Sequence, residues 1–170
     1  LARMTTYAPS ASAMTGVERA PGSRAVYITI ALSGMTALSA EVIWTRLLSL
    51  VFGATVYTFS LILAVFLVGL GIGSTIGAAI ARETTRPRIA LGWCQMLICG
   101  ALAWAAYMLC TSLPYWPINP SISTSPSFNF QLDLVRAFWV VLPGALLWGA
   151  SFPLALASVA APGQDPARLL

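Results

Sequence analysis

Residues 40–48, with the sequence AEVIWTRLL, place one carboxylate and one guanidinium inside a long apolar run. The run extends from about residue 25 to residue 52, which exceeds the roughly 20 residues that cross a bilayer as a helix. Placing Glu41 or Arg46 at the centre of such a helix costs on the order of 2.5–3.5 kcal/mol each. Charges this costly need a protein partner or a polar cavity, so the stretch predicts a bundle of transmembrane helices.

The composition of the 170 residues is that of a membrane protein. Hydrophobic residues make up 58% and charged residues 8%, whereas soluble domains carry about 25% charged residues. The chain has nine Arg, no Lys and no His. The absence of His excludes His-ligated zinc and haem sites and Ser-His or Cys-His catalytic pairs. The net charge of +4 is small and scattered, so no nucleic-acid partner is predicted.

Four apolar segments predict an all-α, polytopic membrane helix bundle with four transmembrane helices. They are separated by a tight turn at 53–55, an arginine-rich loop at 82–88 and a polar outer loop at 114–133. An arm at 1–24 lacks the period of a buried face and is expected to be flexible. A tail at 162–170 is expected to lead into further sequence. The predicted spans, which together form one domain at 25–161, are 25–52, 56–81, 89–113 and 134–161.

The distribution of the arginines predicts the orientation of the bundle. Seven of the nine lie in the arm, the loop at 82–88 and the tail, and none lies in the loop at 114–133. Loops rich in positive charge stay in the cytoplasm. We therefore expect both termini to be cytoplasmic, together with the loop arginines Arg82, Arg86 and Arg88.

The residues near the outer ends of the spans fit a membrane interface. The two remaining arginines, Arg46 and Arg136, are expected near the outer membrane edge, where long side chains reach the interface. Aromatic residues are enriched at the same depth. Trp44 and Tyr57 are therefore assigned to the outer aromatic belt.

Glu41 is the centre of a candidate polar site within the membrane, together with Arg46 and Tyr57. It lies about 16 residues into the first span, which is roughly 24 Å along a helix axis. A functional carboxylate at this depth would bind a cation, a proton or an amine, and a structural one would pair with a group on another helix. Glu41 and Arg46 are five residues apart, so they pair better between helices than within one. Both alternatives stay open.

Small residues recur every four positions along the second span, and they predict close helix packing. They are Gly69, Gly73, Gly77 and Ala81. Such spacing lets a neighbouring helix approach closely. A nucleotide-binding loop is excluded because no strand precedes these glycines and they lie within a predicted membrane span.

Pro143, Gly144 and Pro153 interrupt the fourth span. Proline in a membrane helix frees a backbone carbonyl and kinks the axis. The kink serves either helix packing or, as in transporters, a substrate site.

The three cysteines of the third span fit no metal motif. The sequence thus predicts no catalytic residue, cofactor or metal site in this chain, and membrane lipids are expected to bind.

Three stretches resemble a known family. Residues 37–48 (ALSAEVIWTRLL), 53–60 (GATVYTFS) and 146–155 (LLWGASFPLA) are similar to the membrane-bound spermidine-synthase-like proteins, also described as fused major-facilitator/spermidine-synthase proteins. The resemblance implies a bacterial inner-membrane protein whose further spans lead to a cytoplasmic, aminopropyltransferase-like Rossmann domain. That domain would bind decarboxylated S-adenosylmethionine and a polyamine. Its glycine loop and acidic amine site have no counterpart in this chain.

Residues 73–88 also resemble the loop between the second and third helices of major-facilitator transporters, from which Glu83 and Pro87 depart.

Two functions are compatible with the polar residues and the resemblance. The favoured one is a non-catalytic accessory or scaffolding subunit that packs against other helices or subunits of a larger membrane complex. The alternative is part of a transporter-like domain for polyamines or other cations, with Glu41 as the acidic contact.

Overall fold

The protein is described by a computed structural model for three stretches of the chain, residues 22–53, 56–116 and 125–160. Within these stretches all regular secondary structure is helical, and four helices are long and apolar enough to span a membrane. This confirms the all-α transmembrane class. The predicted arm up to residue 21, most of the outer loop and the tail lie outside the described residues. The helices are α1 (Ser23–Phe52), α2 (Val56–Glu83), α3 (Pro87–Tyr107) and α4 (Pro126–Val159).

Two helices extend further than the hydropathy of the sequence suggests. α4 begins at Pro126, inside the predicted outer loop, rather than at residue 134. Proline is well suited to a first helical position, because its missing N–H has no intrahelical partner there. α3 likewise starts at a proline, Pro87, and continues through a π-helical turn (Met108–Ser112) into a 3₁₀ turn (Leu113–Tyr115).

α4 is the central helix of the bundle. It packs against α1, α2 and α3, and its contact with α2 is the most extensive. Half of its most apolar segment is buried by the other described helices, against 17% for the corresponding segment of α1. α1 is therefore the peripheral helix, and most of its surface faces outward.

Three aromatic rings from three helices meet in the middle of the core. The Trp148 ring centroid on α4 lies 5.7 Å from that of Trp44 on α1 and 6.2 Å from that of Phe66 on α2. Trp44 is only 3% exposed, so its assignment to the outer aromatic belt was wrong. Gly144 explains the difference, because a Cβ atom there would lie 2.9 Å from Cη2 of Trp44. The missing side chain makes the room that the indole occupies.

The contact between α2 and α4 depends on glycines. A Cβ atom at Gly77 would lie 2.6 Å from Cα of Ala150, and one at Gly73 would overlap the carbonyl oxygen of Leu146. These distances leave no space for a side chain, so the two backbones pack directly against each other. The residues of α2 that meet α4 in this way are Gly69, Gly73 and Gly77.

α4 contributes a glycine to the same contact. A Cβ atom at Gly149 would overlap the carbonyl oxygen of Leu70, and Ala81 packs half-buried against the core at the end of α2. The small-residue face of α2 is therefore covered by α4 of the same chain. It is not available for a partner subunit, contrary to the scaffold hypothesis as it was drawn from the sequence.

The close approach at Gly73 makes a prediction for stability. Gly73→Ala should lower the free energy of unfolding by about 1–3 kcal/mol relative to Gly71→Ala, because overpacking forces the helices apart. Gly71 is the matched control, since a Cβ atom there meets nothing within 4 Å and both variants gain the same helix propensity. The measurement is unfolding by sodium dodecyl sulfate in mild-detergent micelles, followed by circular dichroism. Equal stabilities of the two variants would contradict the packing argument.

The buried position of Trp44 makes a second prediction. Trp44→Ala should destabilise the bundle by about 3 kcal/mol, because it leaves a cavity between α1, α2 and α4. Trp93→Ala is the control, since Trp93 is 67% exposed on α3 and its removal leaves no internal cavity. The same detergent titration compares the two. A loss at Trp93 as large as that at Trp44 would contradict the difference in burial between the two rings.

Candidate functional site

Glu41 and Arg46 line a groove on the outer surface of the bundle. The groove has a volume of about 660 Å³ and lies between the second half of α1 and the first turn of α2. α1 turns its buried residues, among them Ala40, Trp44 and Leu48, toward the core. Glu41 is half-buried beside this face, and Arg46 is exposed. The other residues that line the groove are Val42, Thr45, Ser49, Leu50 and Phe59.

The described part of the chain offers these two charges no partner. Glu41 and Arg46 make no ion pair or side-chain hydrogen bond with each other or with another described residue. Their five-residue spacing explains why they do not pair with each other, because side chains that far apart do not face each other on one helix. The groove also contains the hydroxyl groups of Thr45 and Ser49, and Ser49 Oγ donates to the Thr45 carbonyl at 2.6 Å.

Tyr57, the third member of the predicted polar site, lies elsewhere. Its ring does not line the groove, and its centroid lies 6.2 Å from that of Phe130 in the first turn of α4. The structure therefore brings Glu41 and Arg46 together on one surface and places Tyr57 at the end of the bundle where α4 begins.

Arg136 is buried inside the bundle, so the expectation that its side chain reaches outward to the interface was wrong. Its side chain is 5% exposed, and Nη1 lies 3.6 Å from Oδ1 of Asp133, one turn earlier on α4. Its Nε has no hydrogen-bond partner among the described groups. The pair was not expected from the sequence, because Asp133 falls within the predicted outer loop. With the helix starting at Pro126, the spacing of three residues would have indicated it.

The Asp133–Arg136 pair has a clear structural role. The Asp133 carboxylate supplies the counter-charge for a guanidinium that is almost fully buried. In the described part of the chain, no group of three or more His, Cys, Asp or Glu side chains is placed to hold a metal ion. The pair joins two consecutive turns of α4.

The prolines of α4 lie within a continuous helix. Pro143 cannot bond the carbonyl of Trp139, four residues earlier, and this carbonyl instead accepts a hydrogen bond from Nε1 of Trp104 on α3 at 3.1 Å. Pro153 packs against α2, where a Cβ atom at Gly77 would lie 2.9 Å from its Cγ. Both prolines thus take part in helix–helix contacts.

The loop arginines gather at the end of the bundle where α1 and α3 begin and where α2 and α4 end, here called the arginine-rich end. Arg82 belongs to the last turn of α2, and Arg86 immediately precedes α3. Arg88 Nε donates to the carbonyl of Ser158 near the end of α4 at 3.3 Å. A cation at a helix C-terminus is favourable for the helix dipole, so Arg88 joins the start of α3 to the end of α4.

No protein-family model, curated protein or solved structure matches this chain significantly. The assignment to an all-α membrane bundle rests on the four helices themselves. The resemblance to spermidine-synthase-like proteins stays a prediction from the residues quoted above.

The buried pair on α4 makes a third prediction. Asp133→Asn should lower the free energy of unfolding by about 3 kcal/mol, because it leaves the Arg136 guanidinium buried without a counter-charge. The double variant Asp133→Asn/Arg136→Met should recover most of this loss, since Met fills similar space without a charge. Detergent unfolding of the three proteins checks this. A double variant that is less stable than Asp133→Asn would show that Arg136 has a more important partner than Asp133.

Proposed function

We propose that this chain is a non-catalytic, membrane-embedded helical module that packs against further transmembrane helices through the outward face of α1. The observation that carries the proposal is the position of Glu41 and Arg46. Both line a surface that the four described helices leave uncovered, in the half of α1 that hydropathy places within the membrane.

Lipid is a poor environment for this surface. A carboxylate or guanidinium that faces hydrocarbon costs several kcal/mol, and such residues in membrane proteins almost always face other protein groups or water-filled cavities. A neighbouring helix with its own polar side chains would satisfy Glu41, Arg46 and the hydroxyls of the groove. The need for such a helix is the main support for a role in a larger assembly.

The apolar residues of α1 support the same surface. Four strongly exposed side chains follow one line along the helix at intervals of three, four and seven residues, which is the spacing of a helix–helix seam. Its last residue, Val42, also lines the groove. The four residues are Ile28 (61% exposed), Met35 (66%), Leu38 (66%) and Val42 (61%).

The structure-based proposal differs from the scaffold hypothesis drawn from the sequence in the helix that forms the contact. The accessory or scaffolding role would use α1, since the glycine face of α2 is already covered by α4. We further propose, on the resemblance alone, that the module belongs to a spermidine-synthase-like protein of the bacterial inner membrane. The covering helices would then come from a partner subunit or from further spans of the same polypeptide.

The groove itself favours a second candidate, a contact for polyamines or other cations in a transporter-like domain. It is large enough for an alkylamine and contains one carboxylate and two hydroxyl groups, from Glu41, Thr45 and Ser49. Arg46 lies in the same groove and cancels the charge of Glu41. A polycation therefore gains little there, and the packing role is the better supported of the two.

A photo-crosslinking amino acid at Val42 tests the packing role in native membranes. We expect crosslinks to a defined transmembrane peptide, identified by proteolysis and mass spectrometry, and we expect Glu41→Gln to reduce them. Met96 is the control position, because it is 69% exposed on α3 and lies away from the charges of the groove. There the same group should label lipid.

Two results would decide against packing. Lipid adducts at both Val42 and Met96 would show that nothing covers the groove. Spermidine binding by the purified protein, measured by titration calorimetry and lost in Glu41→Gln with the fold intact, would favour the cation site instead. Intact-mass analysis of the complex after mild-detergent purification would show whether the covering helix belongs to the same polypeptide.

A further inference from the structure

A second polar cleft opens at the arginine-rich end, between the first turns of α1 and α3. Its volume is about 350 Å³. Val26 of α1 and Leu91 of α3 form apolar walls, and Arg88 lies at its mouth. The Arg88 Nη1 atom would lie 3.6 Å from a Cβ atom at Gly22, so the guanidinium bridges the beginnings of the two helices.

The charge around the mouth of the cleft is positive. Arg24, Arg82 and Arg86 are exposed at the same end of the bundle. Against these arginines and Arg88, the acidic side chain that the described residues place at this end is Glu83. Clusters of arginine next to membrane helices attract the anionic headgroups of lipids.

Gln95 adds a second recognition element, deeper in the cleft. It follows Arg88 by seven residues, so the two lie on one side of α3 and about 10 Å apart along its axis. Its Nε2 is buried and has no hydrogen-bond partner in the described part of the chain. An unpaired buried amide donor is unfavourable. Gln95 lines the cleft, so a ligand oxygen at this depth would satisfy the donor.

The ligand must therefore combine an anion with a neutral acceptor further into the membrane. A free phosphate ion offers only the first. A phospholipid offers both, because its phosphate lies at the surface, its acyl ester carbonyls lie below, and its chains are apolar. We infer that this cleft binds one anionic phospholipid, with Arg88 on the phosphate, Gln95 on an ester carbonyl, and Val26 and Leu91 against the first part of an acyl chain.

Gly92 keeps the cleft open. It lies among the residues that line the space, and a Cβ atom there meets nothing within 4 Å. The Cβ atom of a leucine at this position would meet open space, and its side chain would occupy the cleft without changing any charge. The inference is independent of the packing role of α1, which concerns the outward groove at Glu41.

The experiment uses the full chain in mild detergent with dioleoyl-phosphatidylglycerol, dioleoyl-phosphatidylcholine or inorganic phosphate. Native mass spectrometry counts retained lipid, and circular dichroism checks the fold of every variant. We expect about a fivefold preference for phosphatidylglycerol over phosphatidylcholine. Gly92→Leu and Arg88→Gln should each remove this preference, and Gln95→Leu should weaken retention of both lipids. Arg86→Gln makes the same charge change outside the cleft and should retain the preference.

Three results would overturn the inference. An unchanged preference in Gly92→Leu would place the lipid elsewhere on the protein. An equal loss in Arg86→Gln and Arg88→Gln would show that the surface charge acts without a defined site. Thermal stabilisation by inorganic phosphate as large as that by phosphatidylglycerol would identify a site for a free anion. Because Arg88 also bonds the Ser158 carbonyl, Gly92→Leu is the decisive variant.

Discussion

The direct contact between the backbones of α2 and α4 is the constraint on which the rest of the bundle depends. Where two helices touch at glycine, van der Waals contact between main chains replaces the hydrophobic drive that lipid does not provide. Gly73 and Gly77 supply this surface on α2, and Gly149 supplies it on α4. With these two helices fixed, α4 presents Trp148 to α1 and the Trp139 carbonyl to α3. α1 and α3 therefore pack against a pair of helices whose distance from each other is set by the glycine contacts.

Some polar groups of the described residues have partners within the bundle, and others have none. Arg136 meets Asp133 one turn earlier on α4, and the carbonyl freed by Pro143 accepts a hydrogen bond from Trp104 where α4 contacts α3. Outside, Glu41 and Arg46 share a groove without a described partner. This contrast, rather than any single residue, supports an assembly larger than four helices.

The sequence predicted the helical class and three of the four helix positions closely, because long apolar runs between polar segments leave few alternatives in a membrane. It could not place the start of α4, since the Pro- and Ser-rich composition after residue 114 is typical of loops although Pro126 fits a first helical turn. That error concealed the Asp133–Arg136 pair. The inward position of Trp44 was equally inaccessible, because it depends on the absence of a side chain at Gly144, on another helix.

The central place of α4 also bears on how the chain assembles during synthesis. Helices enter the membrane in the order of translation, and α4 is the last of the four described. Until it emerges, the glycine notches of α2 and the indole of Trp44 have no neighbour from this helix. α1, α2 and α3 make few contacts with one another, so the compact bundle can form only after α4 has been synthesised.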